Sequence, residues 1–142
     1  MENKNKELAR KTMIVFRKAQ RTIDQQVANS FKNNGITPTQ FSVLDVLYSK
    51  GEMKICHLIS KILATSGNMT VVLRNMEKND WIYRKIDPSD RRASLIGLTP
   101  KGEEVIKQAL PEHLDTVYHS MSVLSPTEQE QLIAILKKFK NL

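Results

Sequence analysis

Two short apolar runs, Trp81-Ile82-Tyr83-Arg84-Lys85-Ile86 and Ser94-Leu95-Ile96-Gly97-Leu98, flank one charged turn, Asp87-Pro88-Ser89-Asp90-Arg91-Arg92, directly downstream of two closely spaced helical patterns. The runs are aromatic and β-branched enough for paired strands. Pro88 presets φ at the start of the turn, and the Asp90 carboxylate can accept from backbone N–H groups. The sequence therefore predicts a hairpin with Arg91 and Arg92 held at its tip. Trp81 is expected to anchor this hairpin to the helix before it.

The upstream helices follow from periodicity. Ile55, Leu58, Ile59 and Ile62 recur at helical spacing, and after a break at Leu63-Ala64-Thr65 the pattern restarts as Met69, Val72, Leu73 and Met76. Thr65 is placed to cap the second helix. Ser66, Gly67 and Asn68 then occupy its first turn, where free N–H groups and the positive end of the helix dipole suit a phosphate. Opposite the apolar stripe lie Gly67, Thr70, Val71, Arg74 and Lys78. Small polar residues near the N-terminus followed by cations is the face a DNA-recognition helix needs. The whole reads as a helix-turn-helix followed by a wing, with Arg91 and Arg92 suited to a narrow minor groove. The candidate DNA-binding residues are Lys54, Ser66, Gly67, Asn68, Thr70, Arg74, Lys78, Asp90, Arg91 and Arg92.

Charge agrees with that reading. The formal net charge is +7, with +5 each in residues 1–34 and 54–101 against −1 in residues 35–53 and −2 in residues 102–142. The helix-turn-helix and wing are thus one basic block, as attraction to phosphates requires. A solvated basic surface is the plainer account of the charge alone.

Residues 37 to 108 resemble the MarR family of winged-helix transcriptional regulators, and the resemblance extends over nearly the whole chain. It is carried by Thr37-Pro38-Thr39-Gln40-Phe41, Ser66-Gly67-Asn68-Met69-Thr70, the turn from Asp87 to Arg92, and Leu98-Thr99-Pro100-Lys101-Gly102, in that order. The segment around Pro111 and His113 is similar to the subgroup that responds to hydroquinones and other phenolics. The resemblance implies a mainly α fold with a small β-hairpin wing. Residues 1–142 form a single domain on this reading, with residues 37–98 as the winged helix-turn-helix and residues 1–34 and 100–142 as dimerisation helices. It also implies an aromatic effector pocket, for which Phe16, Phe41, Tyr48 and His113 are candidates, although aromatics at helical spacing are more often plain core.

The flanking segments are helical in their own right. Val15, Ala19, Ile23, Val27 and Phe31 step by four along a helix expected to run from near Glu7 to just before Gly35. Thr37-Pro38, Thr99-Pro100 and Ser125-Pro126 share one start device, a hydroxyl N-cap followed by proline, and Thr37 with Gln40 and Ser125 with Glu128 fit capping boxes. Val105, Ile106, Ala109, Leu110, Leu114, Val117 and Met121 form one stripe, which Pro111 is expected to bend. Leu132, Ile135, Leu136 and Phe139 form another. These stripes lack an obvious intrachain cover, which predicts a symmetric homodimer reading a pseudo-palindromic operator in double-stranded DNA.

The reactive side chains point elsewhere weakly. Cys56 lies near a helix start amid basic residues, which favours a redox-sensing thiolate, but it also borders the stripe begun by Ile55, where a free cysteine acts as a small hydrophobe. The second reading is adopted. Cys56, His57, His113 and His119 match no compact ligand spacing, so no metal and no cofactor are expected. No nucleophile motif, phosphate-cradling glycine loop or acid pair supports an enzyme. No apolar run approaches the ~20 residues of a membrane span and no secretory signal is visible, which predicts a cytoplasmic protein without membrane association. The leading expectation is a repressor released from its operator by a small phenolic or aromatic effector. Its alternatives are a winged-helix protein–protein interaction module and a thiol-redox regulator acting through Cys56.

Overall fold

The computed structural model describes residues 1–62 and 66–139. In chain order it contains α1 (Glu2–Asn33), α2 (Pro38–Lys50), β1 (Met53–Lys54), α3 (Ile55–Lys61), α4 (Ser66–Lys78), β2 (Ile82–Asp87), β3 (Asp90–Leu98), α5 (Pro100–Met121) and α6 (Pro126–Leu136). The mainly helical, winged-helix architecture is the one the sequence predicts. These elements form two compact units, one of Ser30–His113 and one of Met1–Asn29 with Leu114–Leu142.

The Ser30–His113 unit closes its own core. Val43 and Leu44 of α2, Leu58 of α3, Met69, Leu73 and Met76 of α4, Ile96 of β3 and Ile106 of α5 are buried together. α2 starts as its sequence dictates: the Thr37 hydroxyl accepts from Gln40 N at 3.1 Å while Gln40 Oε1 accepts from Thr37 N at 3.0 Å. Gly51 ends α2 with φ of 81° and returns its N–H to Leu47 O. α5 begins at Thr99, whose hydroxyl accepts from Gly102 N at 3.0 Å. A Cβ on Gly102 would fall on the carbonyl of Trp81, so the first turn of α5 packs on backbone that only glycine admits. Trp81 is tied on both sides, its N–H donating to Met76 O at 3.0 Å and its carbonyl accepting from Thr99 N at 3.1 Å.

β1, β3 and β2 form an antiparallel sheet in that order. β1 has only two residues, too few for periodicity to register, and it adds an edge that the sequence reading lacks. It pairs Met53 with Ile96 and Lys54 with Leu95, while β2 pairs Ile82 with Leu98 through Ile86 with Ser94.

The other unit holds the first part of α1, the end of α5, and α6. α1 begins at Glu2, earlier than the expected Glu7, because its first turns carry Asn and Lys rather than an apolar stripe. A Lys6–Glu2 pair at 2.9 Å spans one turn there. α5 is one continuous helix through Pro111, the residue expected to bend it. The Ser125–Glu128 capping box opens α6, and Gln129 Nε2 donates back to Met121 O and Leu124 O at 3.2 and 3.1 Å. No helix among the described residues is long and apolar enough to cross a membrane.

Candidate nucleic-acid interface

α4 sorts its residues by helical angle. Met69, Leu73 and Met76 point into the core, leaving Asn68, Thr70, Val71, Arg74 and Lys78 exposed on the outer side. Ser66 and Gly67 open the helix, as expected. The cap assigned to Thr65, and the break at Leu63 and Ala64, lie outside the described residues.

The wing departs from a simple hairpin, and the difference is physical. Asp87 pairs with Asp90 and Ile86 with Ser94, so Arg91, Arg92 and Ala93 have no partners on β2 and form an irregularity beside the tip. Arg91 and Arg92 therefore sit within β3 just past the Pro88-Ser89 turn rather than at the tip itself. The Arg92 side chain is 97% exposed. Asp90 does what the sequence suggests, accepting from Arg92 N at 3.1 Å, and it also faces the Arg92 guanidinium at 3.9 Å. It orients an arginine instead of offering a free carboxylate.

The residue that organises the turn is Asp87, to which sequence reasoning assigned no role. It is 5% exposed. Its Oδ1 accepts from Ser89 N at 2.9 Å and from Ser89 Oγ at 2.8 Å, and its Oδ2 faces Lys54 Nζ at 3.8 Å. These bonds hold its carboxyl below the usual aspartate value, those from Ser89 contributing most. Lys54 is half-exposed, so one cation both pairs with the turn and borders solvent. An Asp-x-Ser spacing is the signal that locates such a turn.

A second tie links wing and helix: Arg84 Nε donates to Glu77 Oε1 at 2.6 Å, joining β2 to α4. Neither residue stands out in sequence, because the pair spans two elements.

Cys56 is exposed, which corrects its reading as a packed small hydrophobe. It sits on the outer side of α3, while Leu58 fills the core. A cleft of about 340 Å³ is lined by Lys54, Ile55, Cys56, Arg92, Ala93 and Ser94.

The effector candidates separate. Phe41 and His113 pack on each other with ring centroids 4.3 Å apart, and Phe31 lies 5.2 Å from both. Tyr48 is exposed on α2, and Phe16 is exposed in the other unit. Nδ1 of His113 is buried with no hydrogen-bond partner among the described residues. Burial lowers the pKa of this imidazole, with Asp45 opposing the shift. Glu112, beside it, accepts from Asn33 and Asn34 at 3.0 and 2.8 Å.

Comparison with known proteins agrees with this geometry. Residues 36–94 match the model of the MarR family. The chain is 38% identical over 124 residues to the uncharacterized HTH-type transcriptional regulator YkoM of Bacillus subtilis, covering 87% of this chain and 80% of that one. It is 34% identical over 128 residues to the HTH-type transcriptional regulator MhqR of the same organism, covering 90% and 88%. This chain belongs to the MarR family. As a MarR-family protein it is a DNA-binding transcriptional regulator. Its fold is similar to that of a MarR-like regulator from Bacillus cereus, with a TM-score of 0.83, 25% identity and coverage of 94% and 96%. Two further structures share the fold. An E. coli MarR mutant complexed with operator DNA has a TM-score of 0.80, 22% identity and coverage of 87% and 89%. NadR in complex with 4-hydroxyphenylacetate has a TM-score of 0.74, 20% identity and coverage of 88% and 89%.

Proposed function

We propose that this MarR-family protein is a homodimeric repressor that places α4 in the major groove and the wing in the adjacent minor groove of each half of a pseudo-palindromic operator, and leaves it on binding a small aromatic effector. The observation that carries the DNA contacts is the wing geometry: an exposed Arg92, with Arg91 beside it, on a turn fixed by the buried Asp87. Asn68, Thr70 and Arg74 on the outer face of α4 supply base-edge and phosphate contacts, and Ser66, Gly67, Lys54 and Lys78 add to them.

Homodimerisation rests on the exposed apolar side chains outside the Ser30–His113 unit, among them Leu114, Tyr118, Leu132, Ile133, Ile135 and Phe139. A second copy covers them and spaces two reading heads about one helical turn apart.

The aromatic-effector reading draws on the ligand of NadR and on the Phe41–His113 cluster. Entry of a phenol there opens the ring stack and offers a hydroxyl to the unpartnered Nδ1 of His113, with Tyr48 nearby in sequence on α2. A ligand shifts the dimer only through its differential affinity for the two forms, so operator DNA must weaken effector binding by the same factor as the effector weakens operator binding.

The test is selection of bound sequences from random duplexes, followed by salt titration with and without small phenolics. A recovered palindrome, a steep salt slope and reciprocal release by a phenolic support the proposal. Salt-insensitive binding without sequence preference overturns it. The exposure of Cys56 beside Arg92 favours a second reading, release by oxidation. Release that requires oxidant, vanishes in Cys56→Ser and ignores phenolics selects that reading instead.

A further inference from the structure

Glu52, Gly97 and Tyr83 lie in one row across the sheet. Tyr83 pairs directly with Gly97, and extending the Met53–Ile96 register by one residue sets Glu52 opposite Gly97 on the other side. Two strand spacings of about 4.8 Å separate Glu52 from Tyr83, yet the Tyr83 hydroxyl donates to Glu52 Oε2. The contact exists because position 97 has no side chain. A Cβ built on Gly97 meets Oη, Cζ and Cε1 of Tyr83, so the phenol ring occupies the space that any other residue there would fill. Lys85, two residues on and therefore on the same face of β2, reaches the same carboxylate at 3.2 Å. Arg84, on the opposite face, holds Glu77 of α4.

β2 is thus tied from one face to α4 and from the other to the residue before β1, and β1 leads straight into α3. We propose that Glu52, Tyr83 and Gly97 form a positioning clamp that fixes the wing relative to the helix-turn-helix, so that operator affinity depends on three residues that do not themselves touch DNA. This rests on the DNA-binding reading above. Specific binding needs α4 and the wing tip in their grooves at once. A wing that swings freely must be ordered at the moment of binding, and that cost falls on the specific complex, whereas attraction to phosphates is indifferent to it.

Gly97→Ala evicts Tyr83 at little cost to folding, because the clashing atoms are the far end of a side chain rather than backbone. The experiment compares Gly97→Ala, Tyr83→Phe, Glu52→Ala and the Tyr83→Phe/Glu52→Ala double variant with the wild-type full chain, on the selected operator and on random duplex. Losing one hydrogen bond predicts operator binding weakened about three- to tenfold in each single variant. Random-duplex affinity and salt slope should stay unchanged, the thermal midpoint should fall by no more than a few degrees, and the double variant should lose no more operator affinity than the worse single one. Full operator affinity in both Gly97→Ala and Tyr83→Phe overturns the proposal. Additive losses overturn it as well, and so does a reduced salt slope in Tyr83→Phe, which would mean direct phosphate contact.

A measurement without DNA separates this proposal from the reading beneath it. The bond to Glu52 raises the Tyr83 phenol above the ordinary tyrosine value. Ultraviolet titration should therefore find one late-titrating tyrosine in the wild type that moves down in Glu52→Ala and Gly97→Ala. Absence of such a tyrosine removes the clamp whatever the DNA results. Its presence in a protein that binds no duplex would instead fault the regulator reading and, with it, the clamp's role in binding.

Discussion

In residues 30–113, apolar side chains from five elements meet one another, and Val43, Leu44, Leu58, Met69 and Ile96 have no contact with solvent. In the other unit Val27 is the only buried hydrophobic among the described residues, while Leu8, Met13, Val15, Phe16, Leu132, Ile135 and Phe139 lie exposed. Both regions carry helical stripes of similar quality in sequence. The first has a sheet and crossing helices to close against, and the second has only helices whose stripes remain open. Amphipathicity therefore marks what must be covered without saying by what. On the homodimer proposed above, a second copy is what covers the open stripes, and dimer geometry then sets the distance between two self-contained reading heads.

The sharpest test of the contrast is core truncation. Leu44→Ala should cost about 2–5 kcal/mol of stability and abolish operator binding near its lowered thermal midpoint, because the cavity lies in a closed core. A loss below about 1 kcal/mol, measured by denaturant unfolding, would show that this core is not closed.

Ile135→Asp should act in the opposite sense, weakening the dimer by about 2–3 kcal/mol as an interface anchor does, while leaving secondary structure intact. Sedimentation equilibrium checks it. A variant that remains dimeric would place the interface elsewhere.

Arg92→Ala touches neither the core nor the open apolar stripes. It should weaken operator binding by about 1–3 kcal/mol with an unchanged thermal midpoint, since its side chain is 97% exposed. Unchanged affinity would remove the wing from the interface.

The smallest effects are pH-dependent, and two of them come from His113 and Asp87 in the Ser30–His113 unit. His113 is kept neutral by burial below its usual value of 6.5. The unfolded chain takes up a proton there first, so stability is full above that value and declines as pH falls below it. Asp87 is held below its usual value of 3.8, so its contribution is full above that value and lost as pH falls through the folded one. Thermal midpoints measured downward from neutral pH should show the upper step vanish in His113→Phe and the lower decline shrink in Asp87→Asn, the remainder coming from Glu52, Glu112 and Glu128, whose carboxyls are also held below their usual value by hydrogen bonds.

What sequence revealed, and what it missed, follows one line. Helix starts at Thr37, Thr99 and Ser125 were legible because a cap and its partner lie within three residues. The faces of α3 and α4 were legible because a helix repeats its geometry every turn. The start of α1 was misplaced because its first turns are helical without being amphipathic. Cys56 was misassigned because adjacency to an apolar stripe does not fix which side of the helix a residue takes.

The local chemistry of this chain thus determined its class: two short helices, a charged turn with two arginines, and open stripes at both ends follow from interactions that span three or four residues. Tertiary structure alone decided how those parts are held. The irregularity that carries Arg91 and Arg92, the burial of Asp87 beside Lys54, the Arg84–Glu77 tie and the reach of Tyr83 across Gly97 to Glu52 each depend on strand register. Register is set by pairing between segments, and a one-residue slip would turn every one of these side chains to the opposite face.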